Sequence, residues 1–208
     1  MILINKQSTP QSLSIYKNTE GATYDACPTE IKDDIRKKLL REQGYVCAYC
    51  MAAIDIGKMK IEHYECRSVE LSKQLDYENL LAVCMGGANV KGREKTCDTK
   101  KGNRELNQVN PLDINKISLI KYKNDGTIYS SNHLLDQELN QLLNLNSEDS
   151  YFLQNRLDTK LEIIKTMKKD GEWSKLKVKK YLDFLKGIGN EKVVQYSGMA
   201  IYYLEKKL

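Results

Sequence analysis

The chain has 208 residues, 41% of them hydrophobic and 29% charged, with a net charge of +5. That length suits one large domain or two small ones, and the mild basicity permits contact with nucleic acid without demanding it. No stretch reaches the roughly 18 apolar residues of a membrane span, and the opening MILINKQSTPQSL lacks a secretory apolar run. A cytoplasmic protein with no membrane contact is expected, and its six cysteines are then thiols or metal ligands rather than disulfides.

In chain order, the first residues alternate weakly and are expected to form an edge strand. Residues 17–28 read as a loop. Thr29 to Gln43 reads as a helix, with Thr29 as its N-cap, Ile31, Ile35 and Leu39 at helical spacing and Gly44 at the C-terminal cap. Residues 45–104 change character: cysteines, glycines and short apolar runs dominate. Met59 to Glu62 and Leu80 to Cys84 are strand candidates, GGANVKGREK (residues 86–95) is a basic glycine-rich loop, and a short helix is expected between Asp98 and Glu105. ISLIKYKNDGTIYS predicts a hairpin around Asn-Asp-Gly. From about His133 onward the pattern is helical, with Ser147 and Ser174 as expected N-caps and Trp173 as a core anchor between two helices. Residues 160–186 hold nine lysines against Glu162, Asp170, Glu172 and Asp183. A solvated face is the first reading of that run and a nucleic-acid track the second.

The cysteines carry the first chemical signal. Cys47 and Cys50 are separated by two residues; Cys84 follows after 33 more and Cys97 after another 12. A close pair forms a knuckle, and two further thiolates complete a tetrahedral all-sulfur shell with no open position, so the expected ion is a structural Zn2+. Ordinary buried thiols are the alternative. Cys27 and Cys66 are expected only to pack.

Between the halves of that frame lies IEHYECRS, then YENLLAVC, then CDTKKGN. His63 is one of two histidines in the chain and directly follows Glu62. The other, His133, is expected to be structural. An imidazole titrating near neutrality can take a proton from water, which phosphodiester hydrolysis needs together with a hard cation on the phosphate.

This ordered set of residues resembles the HNH endonucleases over roughly residues 44–104. The matching positions are Cys47 and Cys50, Glu62 and His63, Asn79 and Leu80, Cys84, and Cys97 with Asp98. The resemblance implies an α+β chain: a ββα-metal HNH core with a four-cysteine zinc knuckle, embedded in mostly helical surroundings. It also implies His63 as general base, Asn79 as holder of the connecting loop, and Asp98 then Glu62 as ligands of a catalytic Mg2+ or Mn2+. Asp98 stands where the family has His or Asn. Adjacent strand residues face opposite ways, so Glu62 and His63 serve one site only if the strand ends or twists there. Lys101 and Arg104 are candidate phosphate contacts, with surface charge as the equal alternative.

A narrower resemblance extends this reading. KKLLREQGYVCAYCMAAI, KIEHYECRS, NLLAVC, TCDTKKG, VNPLDINKI and the NDGTI turn are similar to the nuclease subunit of the Septu anti-phage defence system, whose relatives accompany some retrons. That similarity implies DNA as substrate and an ABC-like ATPase as partner. The expected organisation is residues 1–43 as an N-terminal segment and helix, 44–109 as the nuclease core, and 110–208 as a hairpin plus helices for docking. A zinc-stabilised adaptor without catalysis, or a nuclease acting on RNA, are the other readings.

Overall fold

The computed structural model describes residues 1–208 apart from Asn89, in the glycine-rich loop, and Asp170, in the lysine-rich run. Two helices open the chain, α1 (Gln11–Lys17) and α2 (Thr29–Glu42). A two-stranded sheet of β1 (Met59–His63) and β2 (Leu80–Cys84) follows, and then α3 (Cys97–Lys101) and α4 (Ile114–Ser118). A hairpin of β3 (Ile120–Tyr122) and β4 (Ile128–Ser130) leads to α5 (His133–Gln137), a π-helical turn over Glu138–Leu142, α6 (Phe152–Lys169), α7 (Lys175–Leu185) and α8 (Gly198–Glu205).

β1 and β2 are antiparallel, with Met59 opposite Cys84 and His63 opposite Leu80. The apolar run of β2 is buried along Leu80–Val83 because α2 and α3 both pack against it. A two-stranded sheet leaves one edge of β2 unpaired, and buried backbone groups must find partners. Gln43 supplies them. Its side chain donates to the Ala82 carbonyl at 2.8 Å and accepts from the Ala82 amide at 2.8 Å.

α2 buries Ile35, Leu39 and Leu40. It ends where Gly44 turns left-handed (φ 60°), and the Tyr45 amide returns to the Leu40 carbonyl, the bond pattern that closes many helices. The largest core cluster gathers Leu13, Ile35, Leu80, Val109 and Leu139. A second cluster joins Ile163, Met167, Leu182 and Leu204 of the last three helices, with Trp173 packed half-buried at its side. Buried Glu138 accepts from the amides of Asn107, Gln108 and Val109, fixing the segment that leaves α3. Among the described residues, no helix is long and apolar enough to cross a membrane.

Several local expectations are corrected. The first residues form no strand; the Ile4 amide instead donates to the Pro111 carbonyl. α1 was not foreseen, because its seven residues carry a single buried apolar side chain, Leu13. Thr29 is the first helical residue of α2 rather than its cap, since extended Pro28 precedes it. α6 starts at Phe152, well beyond Ser147, whose hydroxyl meets Ser150. Ser174 does cap α7 through the Lys177 amide.

Candidate metal and catalytic site

The segment around Cys47 and Cys50 is a tight knuckle closed by a bridge between Val46 and Ala53. The Cys47 amide donates to Ala52 and the Ala52 amide to Cys50 Sγ. β2 ends in Cys84, and α3 begins at Cys97, whose φ of 52° is left-handed. The loop between them closes at Gly86, where a Cβ would lie 2.2 Å from the Thr96 carbonyl oxygen, so no larger residue fits. These elements bring the four sulfurs within 4.8 Å of one another. Cys47 and Cys97 stand 3.9 Å apart, Cys50 and Cys84 3.7 Å. A tetrahedron with Zn–S bonds of about 2.3 Å has edges of about 3.8 Å.

The protonation of the cluster points the same way. Burial works against charge on Cys47, but hydrogen bonds from the other three thiols outweigh it and hold its pKa well below the usual thiol value. Cys50 is pushed well up, chiefly by the Cys47 and Cys84 thiols, and Cys97 by Cys47 and Cys50. Four thiolates packed this closely repel one another when no cation lies between them. A dication lets all four ionise, and the donor set fits zinc.

The second cluster lies in a cleft of about 460 Å³ lined by Lys60, Glu62, His63, Cys66, Asp98 and Thr99, among others. Alternation along β1 puts Lys60 and Glu62 on one face. His63 is the last residue of β1, and at that strand end it lines the same cleft as Glu62.

Glu62 is buried. Its carboxylate receives the Lys101 ammonium at 2.7 Å and the Tyr49 hydroxyl at 3.3 Å. Asp98 pairs with the Lys60 ammonium, which also donates to the Thr99 hydroxyl at 2.7 Å. The two carboxyls lie close enough to shift each other's protonation. Burial first, and then Asp98, push Glu62 up to about 9 against the pull of Lys101. Burial opposes charge on Asp98 too, but the bonds from Glu62 and Lys60 prevail and hold it below the usual carboxylate range. Two acids that cannot both ionise cheaply are a donor set that a hard dication satisfies.

His63 Nε2 lies 3.0 Å from the Gln74 carbonyl, and its ring meets Tyr24 edge-on at 4.4 Å. The carbonyl accepts only, so Nε2 carries the proton and Nδ1 keeps its lone pair. Burial lowers the pKa of the ring, and Arg67 and Lys101 add to that. Asn79 clasps the loop that follows. Its Oδ1 accepts from the Glu65 amide, and its Nδ2 donates to the carbonyls of Glu65 and Lys73. Lys73 directly precedes Gln74, the partner of His63.

Lys101 corrects one expectation: it is 1% exposed and bonded to Glu62 and Cys66 Sγ, so it presents no ammonium to a phosphate at the surface. Arg104 is exposed, but its guanidinium is turned back onto the carbonyls of Lys100 and Lys101. His133 opens α5 far from either cluster in sequence. Sequence reasoning missed Lys60, Gln43 and Gln74. Of these, Lys60 carried a signal, its place two residues before Glu62 on a strand.

No protein-family model matches the chain. Over 128 residues it is 30% identical to a protein of Escherichia coli described as an HNH endonuclease of retron Ec83. The alignment covers 53% of this chain and 50% of that protein, so the chain spans about half the length of the curated relative it matches. The chain is related in sequence to a protein of the HNH nuclease kind.

Proposed function

We propose that this chain is a metal-dependent HNH endonuclease that hydrolyses DNA phosphodiester bonds. The observation that carries the reading is the meeting of Glu62, His63 and Asp98 in one cleft, on a strand–strand–helix unit beside a four-thiol site, in a chain similar to a retron HNH endonuclease. β1, β2 and α3 are then the ββα-metal core, and the four cysteines its zinc scaffold.

His63 acts as general base through Nδ1, taking the proton of the attacking water as the new P–O bond forms. The Gln74 carbonyl fixes the ring tautomer, and Asn79 holds the loop that carries Gln74. Asp98 and Glu62 would hold a Mg2+ or Mn2+ ion, which would supply counter-charge to the phosphate as the P–O bond to the leaving oxygen breaks. The burial that depresses the His63 pKa favours the neutral, proton-accepting ring.

A role in anti-phage defence beside an ABC-like ATPase rests on the Septu resemblance of VNPLDINKI and its neighbours. The C-terminal helices are the docking surface in that reading. A second reading, a zinc-stabilised adaptor, is favoured by one observation: both carboxylates already pair with lysines.

The test is cleavage of a plasmid and a structured RNA, side by side, with Mg2+ or Mn2+. Wild type and His63→Ala are compared at equal folding and zinc content, alone and with the neighbouring ATPase and its nucleotide. The expected result is DNA cutting that falls by about 10²–10⁴-fold in the variant. Equal cutting by both proteins contradicts the assignment of His63. Cutting of RNA alone replaces the substrate, and no cutting under any condition favours the adaptor.

A further inference from the structure

The cleft contains a cation of its own. The Lys60 ammonium bonds both the Asp98 carboxylate and the Thr99 hydroxyl, so it occupies the Asp98 side of the acid pair. Its side chain is 29% exposed, whereas Lys101, across the pair on Glu62, is fully buried. The two lysines are therefore not equivalent. Lys101 is also bound to the His63 carbonyl and Cys66 Sγ and has nowhere to go without leaving three acceptors unpaired. Lys60 reaches in from a strand on a flexible four-carbon stem, and part of its side chain is open to solvent.

We propose that Lys60 is a built-in counter-ion of this cleft that competes with an incoming divalent cation for Asp98 and so sets the affinity of the site. The inference rests on Asp98 and Glu62 being the cation ligands. A dication entering beside Asp98 meets an ammonium already on its Oδ2, and like charges there oppose each other. The pair of lysines lets the acids stay folded without metal, and the exposed member of the pair yields. Released from Asp98, the Lys60 ammonium remains on the cleft wall. Lys60 is thus a positioning residue for Asp98 in the metal-free protein.

The experiment measures Mn2+ binding directly on zinc-loaded protein without nucleic acid, by titration calorimetry and by the electron paramagnetic resonance of free Mn2+. Wild type, Lys60→Met, Lys60→Arg and Asp98→Asn are compared, with melting curves as the check on folding. Lys60→Met keeps the stem and loses the charge. Its Mn2+ dissociation constant is expected to fall by roughly two- to fivefold, the scale of a partly exposed ion pair. Lys60→Arg should stay near wild type, and Asp98→Asn should lose the site. Unchanged or weaker Mn2+ binding in Lys60→Met, with loss in Asp98→Asn, overturns the role of Lys60 and leaves the cation site standing. Binding absent from wild type, or indifferent to Asp98→Asn, overturns the cation site and this inference with it.

Discussion

The two clusters, four thiols on one side and two acids on the other, answer the same problem differently. Both gather groups that become anionic in a largely buried place. Among the described residues, no lysine or arginine is hydrogen-bonded to these four thiols; their bonds run to one another and to the Ala52 amide. The acids each have a lysine. A site neutralised from within survives the loss of its ion, whereas a site that relies on an external dication does not. Soft thiolates in a closed tetrahedron suit a resident zinc, and neutralised carboxylates in an open cleft suit an ion that comes and goes.

The largest effect should come from the thiol side. Cys84→Ser is expected to lose stoichiometric zinc and, with it, the cooperative thermal transition, because structural zinc contributes about 10 kcal/mol or more to such folds. Metal analysis and a melting curve on the same sample check this; a zinc-free variant that melts like wild type would reverse the comparison. Next comes the acid side. Lys101→Met strands Glu62 beside Asp98 and should cost about 3–5 kcal/mol, read as a lowered denaturant midpoint. Adding Glu62→Leu to that variant should recover much of the loss, and failure to do so would mean that Lys101 matters through packing alone. Smaller still, Asn79→Ala removes three backbone contacts of the His63 loop. It should cost about 1–3 kcal/mol while retaining zinc, and lower kcat more than it raises KM.

Legibility in the sequence followed the range of the interactions. β2 was readable to the residue, because a short apolar run ending in cysteine has one sensible reading, and the Asn-Asp-Gly hairpin was announced by its turn chemistry. The four cysteines were legible as a set because ligand spacing is written in the chain. The start of the chain was not: Met1 and Ile4 are buried by partners more than a hundred residues away, and local alternation suggested a strand that has nothing to pair with. Lys101 was misjudged for a related reason. Spacing put it one turn beyond Asp98, but only the packing of α3 on β2 decides that this turn faces inward. Gln43 closing the edge of β2 across 39 residues had no local signal.

The most direct test is anomalous diffraction from crystals of the zinc-loaded protein soaked in Mn2+, recorded at the zinc and manganese edges. One zinc peak is expected at the centre of Cys47, Cys50, Cys84 and Cys97, and one manganese peak against Asp98 and Glu62 in the cleft that His63 lines. A manganese peak elsewhere, or the same metal in both places, would contradict the division between a resident scaffold ion and an exchangeable catalytic one.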